Sequence, residues 1–172
     1  MTRFSWLVFS LLFLAAPAPG LAQGAQIAFG TAQEDSDLPV EVTSEILDVN
    51  QNDGTAVFTG SVIVAQGEMR LYAPRVLVVY KEDESGVDRF EATGGVTVVS
   101  GEDAAESRSA DYFVDSGMIE MNDDVLLVRG PQVLTSDKMV VNRFEGTAQM
   151  TGNVKTVLQS DNNQDGSGGD NN

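Results

Sequence analysis

The sequence predicts an all-β fold: a single antiparallel, twisted sheet of short strands. Valine occurs 22 times in 172 residues, and β-branched side chains suit a pleated, half-buried backbone. Apolar residues recur at period two in Val40 and Val42, Leu47 and Val49, Val62 and Val64, Met69 and Leu71, Val76 and Val78, Val96 and Val98, Val125 and Leu127, and Met139 and Val141, as one-sided strands require. No apolar stripe at helical spacing persists beyond the first 22 residues. A sheet with one dry face must roll up on itself or pair with another.

Taken in order, the chain opens with Met1-Thr2-Arg3 and then runs uncharged from Phe4 to Ala16. Pro17 breaks that run, and Gly20-Leu21-Ala22 offers small residues before Gln23. Thirteen residues are too few to span a bilayer as a helix, so 1–22 reads as a secretory signal peptide cut before Gln23, and the expected location is the periplasm. Residues 23–37 hold no apolar period and include Glu34-Asp35-Ser36-Asp37, which predicts a flexible leader. The β-domain is expected over 38–158.

The tail, 159–172, is rich in Asp, Gly and Asn and is expected to be disordered. Asp161, Asn163, Asp165 and Gly166 imitate the start of a calcium loop, but Asn172 stands where a bidentate Glu is needed. No metal is expected there.

Within 38–158 a unit repeats. Gly60, Gly94, Asp123 and Gly152 recur before apolar pairs, and these positions predict turns. A second element recurs between them, reading Ser44…Leu47…Val49, Ala73…Val76…Val78, Ala110…Phe113…Asp115 and Ser136…Met139…Val141. The third copy breaks the pattern at Asp115, through either a one-residue slip of register or a locally polar interior.

Composition narrows the chemistry. There is no Cys and no His, so disulfides, Cys/His zinc sites and histidine-based triads are excluded. Ten basic against 26 acidic side chains give a net charge of −16, which opposes nucleic-acid binding. The carboxylate pairs Asp123-Asp124 and Glu102-Asp103 fall where turns are expected and mark no cleft. No phosphate loop occurs. The expectation is a non-enzymatic protein without cofactor.

The runs Pro39-Val40-Glu41-Val42-Thr43-Ser44, Leu47-Asp48-Val49, Phe58-Thr59-Gly60-Ser61-Val62, Gln66-Gly67 and Ala73-Pro74-Arg75-Val76 together resemble the OstA-like β-jellyroll family. The resemblance implies an open-sided β-jellyroll with unpaired edge strands. It implies a periplasmic protein that binds and transports lipopolysaccharide as part of a bridge from inner to outer membrane. Lipid A acyl chains would lie in an apolar groove, for which Val40, Val42, Leu47, Val49, Met69, Leu71, Val76, Val78, Val96 and Val98 are the candidates.

Implied partners are inner-membrane-anchored and outer-membrane members of the same transport family, joined by edge-strand pairing, with head-to-tail self-association through the same edges. A cleavable signal fits the soluble, bridging member. The competing expectations are a non-catalytic structural or adhesion module with a filled core, and the inner-membrane-anchored member of the family. The nine bases of the domain, among them Arg70, Arg75, Arg108 and Lys155, are scattered and read as surface charge rather than a phosphate site.

Overall fold

The computed structural model describes residues 25–30, 38–50, 52–83 and 85–158. They form one antiparallel sheet of β1 (Ala25–Ala28), β2 (Glu41–Thr43), β3 (Ile46–Asn50), β4 (Thr55–Gln66), β5 (Met69–Tyr80), β6 (Val87–Ser100), β7 (Asp103–Phe113), β8 (Met118–Arg129), β9 (Gln132–Asn142), β10 (Thr147–Thr151) and β11 (Lys155–Leu158). From β4 to β10 each strand pairs with the next; β2 and β3 both pair with β4, and β11 pairs with β9. The signal segment 1–22 and the tail with its calcium-like run lie outside the described residues. So does most of the expected leader, but 25–30 correct that expectation. Ala25–Ala28 form β1 against β10, and Phe29 is buried. A four-residue strand offers too short a pattern to read as a period.

The long strands are bent at mid-length. Gly60–Ser61 (φ +83° and +44°), Gly94–Gly95 (+93° and +98°) and Asp123–Asp124 (+64° and +52°) are tandem left-handed pairs inside β4, β6 and β8. The pairing register shifts at each. Gly152–Asn153 holds the matching place between β10 and β11. These are the positions whose recurrence predicts turns. The first three are bulged corners, after which the same strand runs on; the reversals lie elsewhere, as at Asn52–Gly54 and 67–68. Positive φ serves a bulge as well as a turn, so the residue types alone do not distinguish them. Asp123-Asp124 is thus a corner and not a loop.

Each bent strand contributes to two limbs, and side chains join them. Tyr112 at the end of β7 meets Gln66 at the end of β4, and Gly30 beside β1 meets Asp103 at the start of β7. Residues facing each other across antiparallel strands share a face, so the interior resolves into rows. One row runs Val49, Ala56, Val78, Phe90, Tyr112, Ile119, Val141, Ala148, Ile27, and the next runs Leu47, Phe58, Val76, Ala92, Ala110, Met121, Met139, Met150, Ala25. In the other limb a third row joins Val42, Val64, Leu71, Val98, Ala105, Leu127 and Leu134. Most members of these rows are buried, so together they form the packed interior between the limbs.

Ser107 and Ser136, at equivalent corners, are buried and donate to the carbonyls of Ser109 and Lys138. This places the third repeat at Ser107…Ala110…Tyr112, three residues earlier than Ala110…Phe113…Asp115. Asp115 lies in the turn after β7, exposed and paired with Lys81 at 2.7 Å. The interior is neither slipped nor polar at that point.

Candidate functional site

An apolar cleft of about 380 Å³ opens between the limbs beside β2. Val40 and Val42 form one wall. Phe58, Val78 and Tyr80 of β4 and β5, with Val87, Phe90 and Val114 beside them, complete the lining. A larger recess of about 610 Å³ lies by the 101–102 and 130–131 turns, but Glu102, Asp103 and Arg129 line it, so its chemistry is polar. An alkyl chain gains about 0.8 kcal/mol per methylene removed from water, and the cleft beside β2 supplies surface of that kind.

Behind the cleft sits a polar cluster. The Tyr112 hydroxyl donates to Gln66 Oε1 at 2.5 Å, and Gln66 Nε2 donates to the Leu38 carbonyl at 2.8 Å. Arg143 Nη1 donates to the Tyr112 oxygen at 2.7 Å and to Gln66 Oε1, and the guanidinium lies 5.5 Å from the Tyr112 ring centroid. Phe90 stacks on the Tyr112 ring, with centroids 6.0 Å apart. Burial pushes the Tyr112 phenol above its ordinary value, with Arg143 opposing the shift. The cluster fixes Phe90, which forms part of the cleft.

The ten groove candidates do not fall together. Val40, Val42 and Val78 line the cleft. Met69, Leu71, Val76, Val96 and Val98 are buried in the packed interior. Leu47 and Val49 belong to the dry face by register, yet they are 52% and 62% exposed, because among the described residues β3 is an edge strand and the row ends are uncovered. Phe58 and Phe90 lay within reach of period two, following Ala56 and preceding Ala92. Tyr80, Val87 and Val114 flank turns, where alternation carries no information.

On the wet face Glu91, Asp111 and Glu120 stand side by side across β6, β7 and β8. Arg89 pairs with Glu91 and Lys138 with Glu120, each at 2.6 Å. Desolvation first, then Glu91 and Glu120, raise the Asp111 carboxyl above the ordinary carboxylate value. Among the described residues no group of three or more acidic side chains is arranged to hold a metal ion.

A family model described as the LptA/(LptD N-terminal domain) LPS transport protein matches residues 41–147. The chain belongs to this family. The stretch shared with the LptA/LptD N-terminal domain family runs from β2 to the first residue of β10 and includes every strand that borders the cleft, while β1 lies outside it. An uncharacterized protein of Rhizobium meliloti (strain 1021) is 27% identical over 124 residues, covering 68% of this chain and 63% of that protein. The crystal structure of LptH, the LptA-homologous periplasmic component of the lipopolysaccharide transport device of Pseudomonas aeruginosa, superimposes with a TM-score of 0.67. It is 16% identical, and the match covers 74% of this chain and all of LptH. The fold is therefore the open jellyroll of LptA-like proteins.

Proposed function

We propose that this chain is a periplasmic, non-catalytic lipopolysaccharide carrier that forms one segment of a bridge between inner and outer membranes. Lipid A acyl chains enter the cleft beside Val42, and the unpaired β2–β3 edge joins a neighbouring member of the transport family. The observation that carries this reading is the pairing of an apolar cleft with an adjacent free edge in a lipopolysaccharide-transport fold. Acyl chains are held by area and shape, so the cleft requires no polar anchor. Secretion through a signal peptide cut before Gln23 would deliver the domain to the periplasm, and a mature N-terminus there distinguishes a free segment from an anchored one. The near-complete burial of Leu71, Val76 and Val98 favours a second reading, a filled structural module.

Site-specific photo-crosslinking in cells separates the two. Probes at Val42 and Val78 should form lipopolysaccharide adducts while a probe at Glu41, on the other face of β2, should not. A folded protein that yields no adduct from either valine would support the filled module instead.

A further inference from the structure

The two ends of the sheet are unequal. At the N-terminal end, among the described residues, β3 pairs on one side only, and its row-forming residues Leu47 and Val49 are exposed. At the C-terminal end β10 has its outer edge covered by β1 of the same chain.

The register shows what β1 replaces. Leu47 begins the row that ends at Met150 and Ala25, and Val49 begins the row that ends at Ala148 and Ile27. On the alternate face, Asp48 heads the row that closes with Gln149 and Gln26. β1 and β3 also cross these rows in the same direction. A copy of β3 laid on β10 would therefore be antiparallel to it, with Leu47 over Ala25's place and Val49 over Ile27's.

Charge agrees with this placement. The 41–50 edge carries Glu41, Glu45 and Asp48 with no base, whereas the 147–158 edge carries Lys155 with no acid.

We propose that β1 is an internal stand-in for β3 of a second copy. It closes the β10 edge in the lone chain and must leave before head-to-tail assembly. Its hold is local: Phe29 is buried, its amide donates to the Gly146 carbonyl at 3.0 Å, the Gly30 amide donates to Asp103 Oδ2 at 2.9 Å, and Arg129 donates to the Ala28 carbonyl at 3.2 Å. A strand of four residues so tied is a competitor that a five-residue strand, with Leu47 in the place of Ala25, can displace. A head-to-tail joint would then form only as fast as β1 is released, which keeps the edge from pairing indiscriminately. The inference concerns the joint and not the cargo, so it stands or falls separately from lipid binding.

The absence of native cysteine allows a clean test in the full chain. Gln26 and Gln149 are register partners in a pair flanked by hydrogen-bonded ones, the kind of backbone pair with the shorter Cα separation that a disulfide can bridge. Chains carrying Q26C and Q149C, once oxidised, should stay monomeric at concentrations where the reduced form associates. Mixing a D48C chain with a Q149C chain should give a disulfide-linked pair of copies, and adding F29A to the Q149C chain should raise its yield several-fold. Equal association with β1 locked or free would overturn the proposal, as would no D48C–Q149C product, or a yield that F29A leaves unchanged.

Discussion

The Tyr112 hydroxyl and the Gln66 side-chain carbonyl, 46 positions apart in sequence, meet at 2.5 Å and tie the two limbs together behind the cleft. Both are buried, so removing the hydroxyl takes away one donor to Gln66 Oε1 and one acceptor for Arg143 where water is scarce. Y112F should cost about 1–2 kcal/mol in chemical denaturation. Ionisation adds a second signature. The phenol's folded pKa lies above its unfolded value because burial disfavours the anion. Stability should therefore be retained below the ordinary tyrosine range and decline as pH rises from there through the folded value. Y112F should remove that part of the alkaline loss; an unchanged alkaline limb would show that Tyr112 is not its source.

The fold class was legible in the sequence because alternation at period two is a direct consequence of one-sided burial, and Val62, Val64, Val96 and Val98 carry it without interruption. The family could be read because short runs such as Phe58-Thr59-Gly60-Ser61-Val62 recur in order. The corners were not legible as corners. Gly94 and Asp123 announce positive φ, and only the pairing of neighbouring strands decides between a reversal and a bulge. The cleft was legible in part: Val42 and Val78 follow the alternation, but they belong to different limbs and meet across the cleft only when one limb folds over the other. That is a long-range event which no local pattern encodes.

Corner geometry predicts unequal costs for two adjacent glycines. Gly94 and Gly95 both have strongly positive φ, so alanine is strained at either, at about 1 kcal/mol or more. A Cβ on Gly94 would also stand 2.6 Å from Pro74 Cγ, whereas one on Gly95 meets nothing within 4 Å. The proline ring is stiff and cannot swing away. G94A should be the more destabilising by a further ~1 kcal/mol or more in urea unfolding. Equal effects would mean that the β5 corner yields to the added methyl.

The row Glu91–Asp111–Glu120 predicts a stabilising substitution. Like charges directly opposite across strands oppose folding by about 0.2–1 kcal/mol per pair, and Arg89 and Lys138 offset only part of this. D111N should raise stability at neutral pH by roughly 0.5–1 kcal/mol. Because the folded carboxyl titrates above its unfolded value, the wild type binds the extra proton in the native state and loses stability as pH rises through that interval. The advantage of D111N should therefore appear above the interval and vanish below it. A constant advantage at all pH values would point to packing instead of charge.

The cleft predicts that cargo binding can be lost without loss of fold. Val42 is only partly buried, so a larger side chain there has room to enter the cleft without displacing the third row. V42W should weaken binding of lipopolysaccharide, or of a fluorescent fatty acid, by about tenfold, which corresponds to 1.4 kcal/mol, while the unfolding midpoint moves little. V157W, on the exposed C-terminal edge, supplies the same bulk away from the cleft and should bind as the wild type does. Salt provides an independent reading of the same event. A chain of net charge −16 repels an anionic lipid, and that repulsion is screened within about 8 Å at physiological ionic strength. Binding should tighten as salt is raised from low values, because apolar burial is left intact while the opposing charge is weakened. If V42W and V157W bound alike, the lipid would lie elsewhere on the molecule. If salt instead weakened binding, the head-group phosphates would be meeting bases, and Arg70 and Arg75 would be the first positions to substitute.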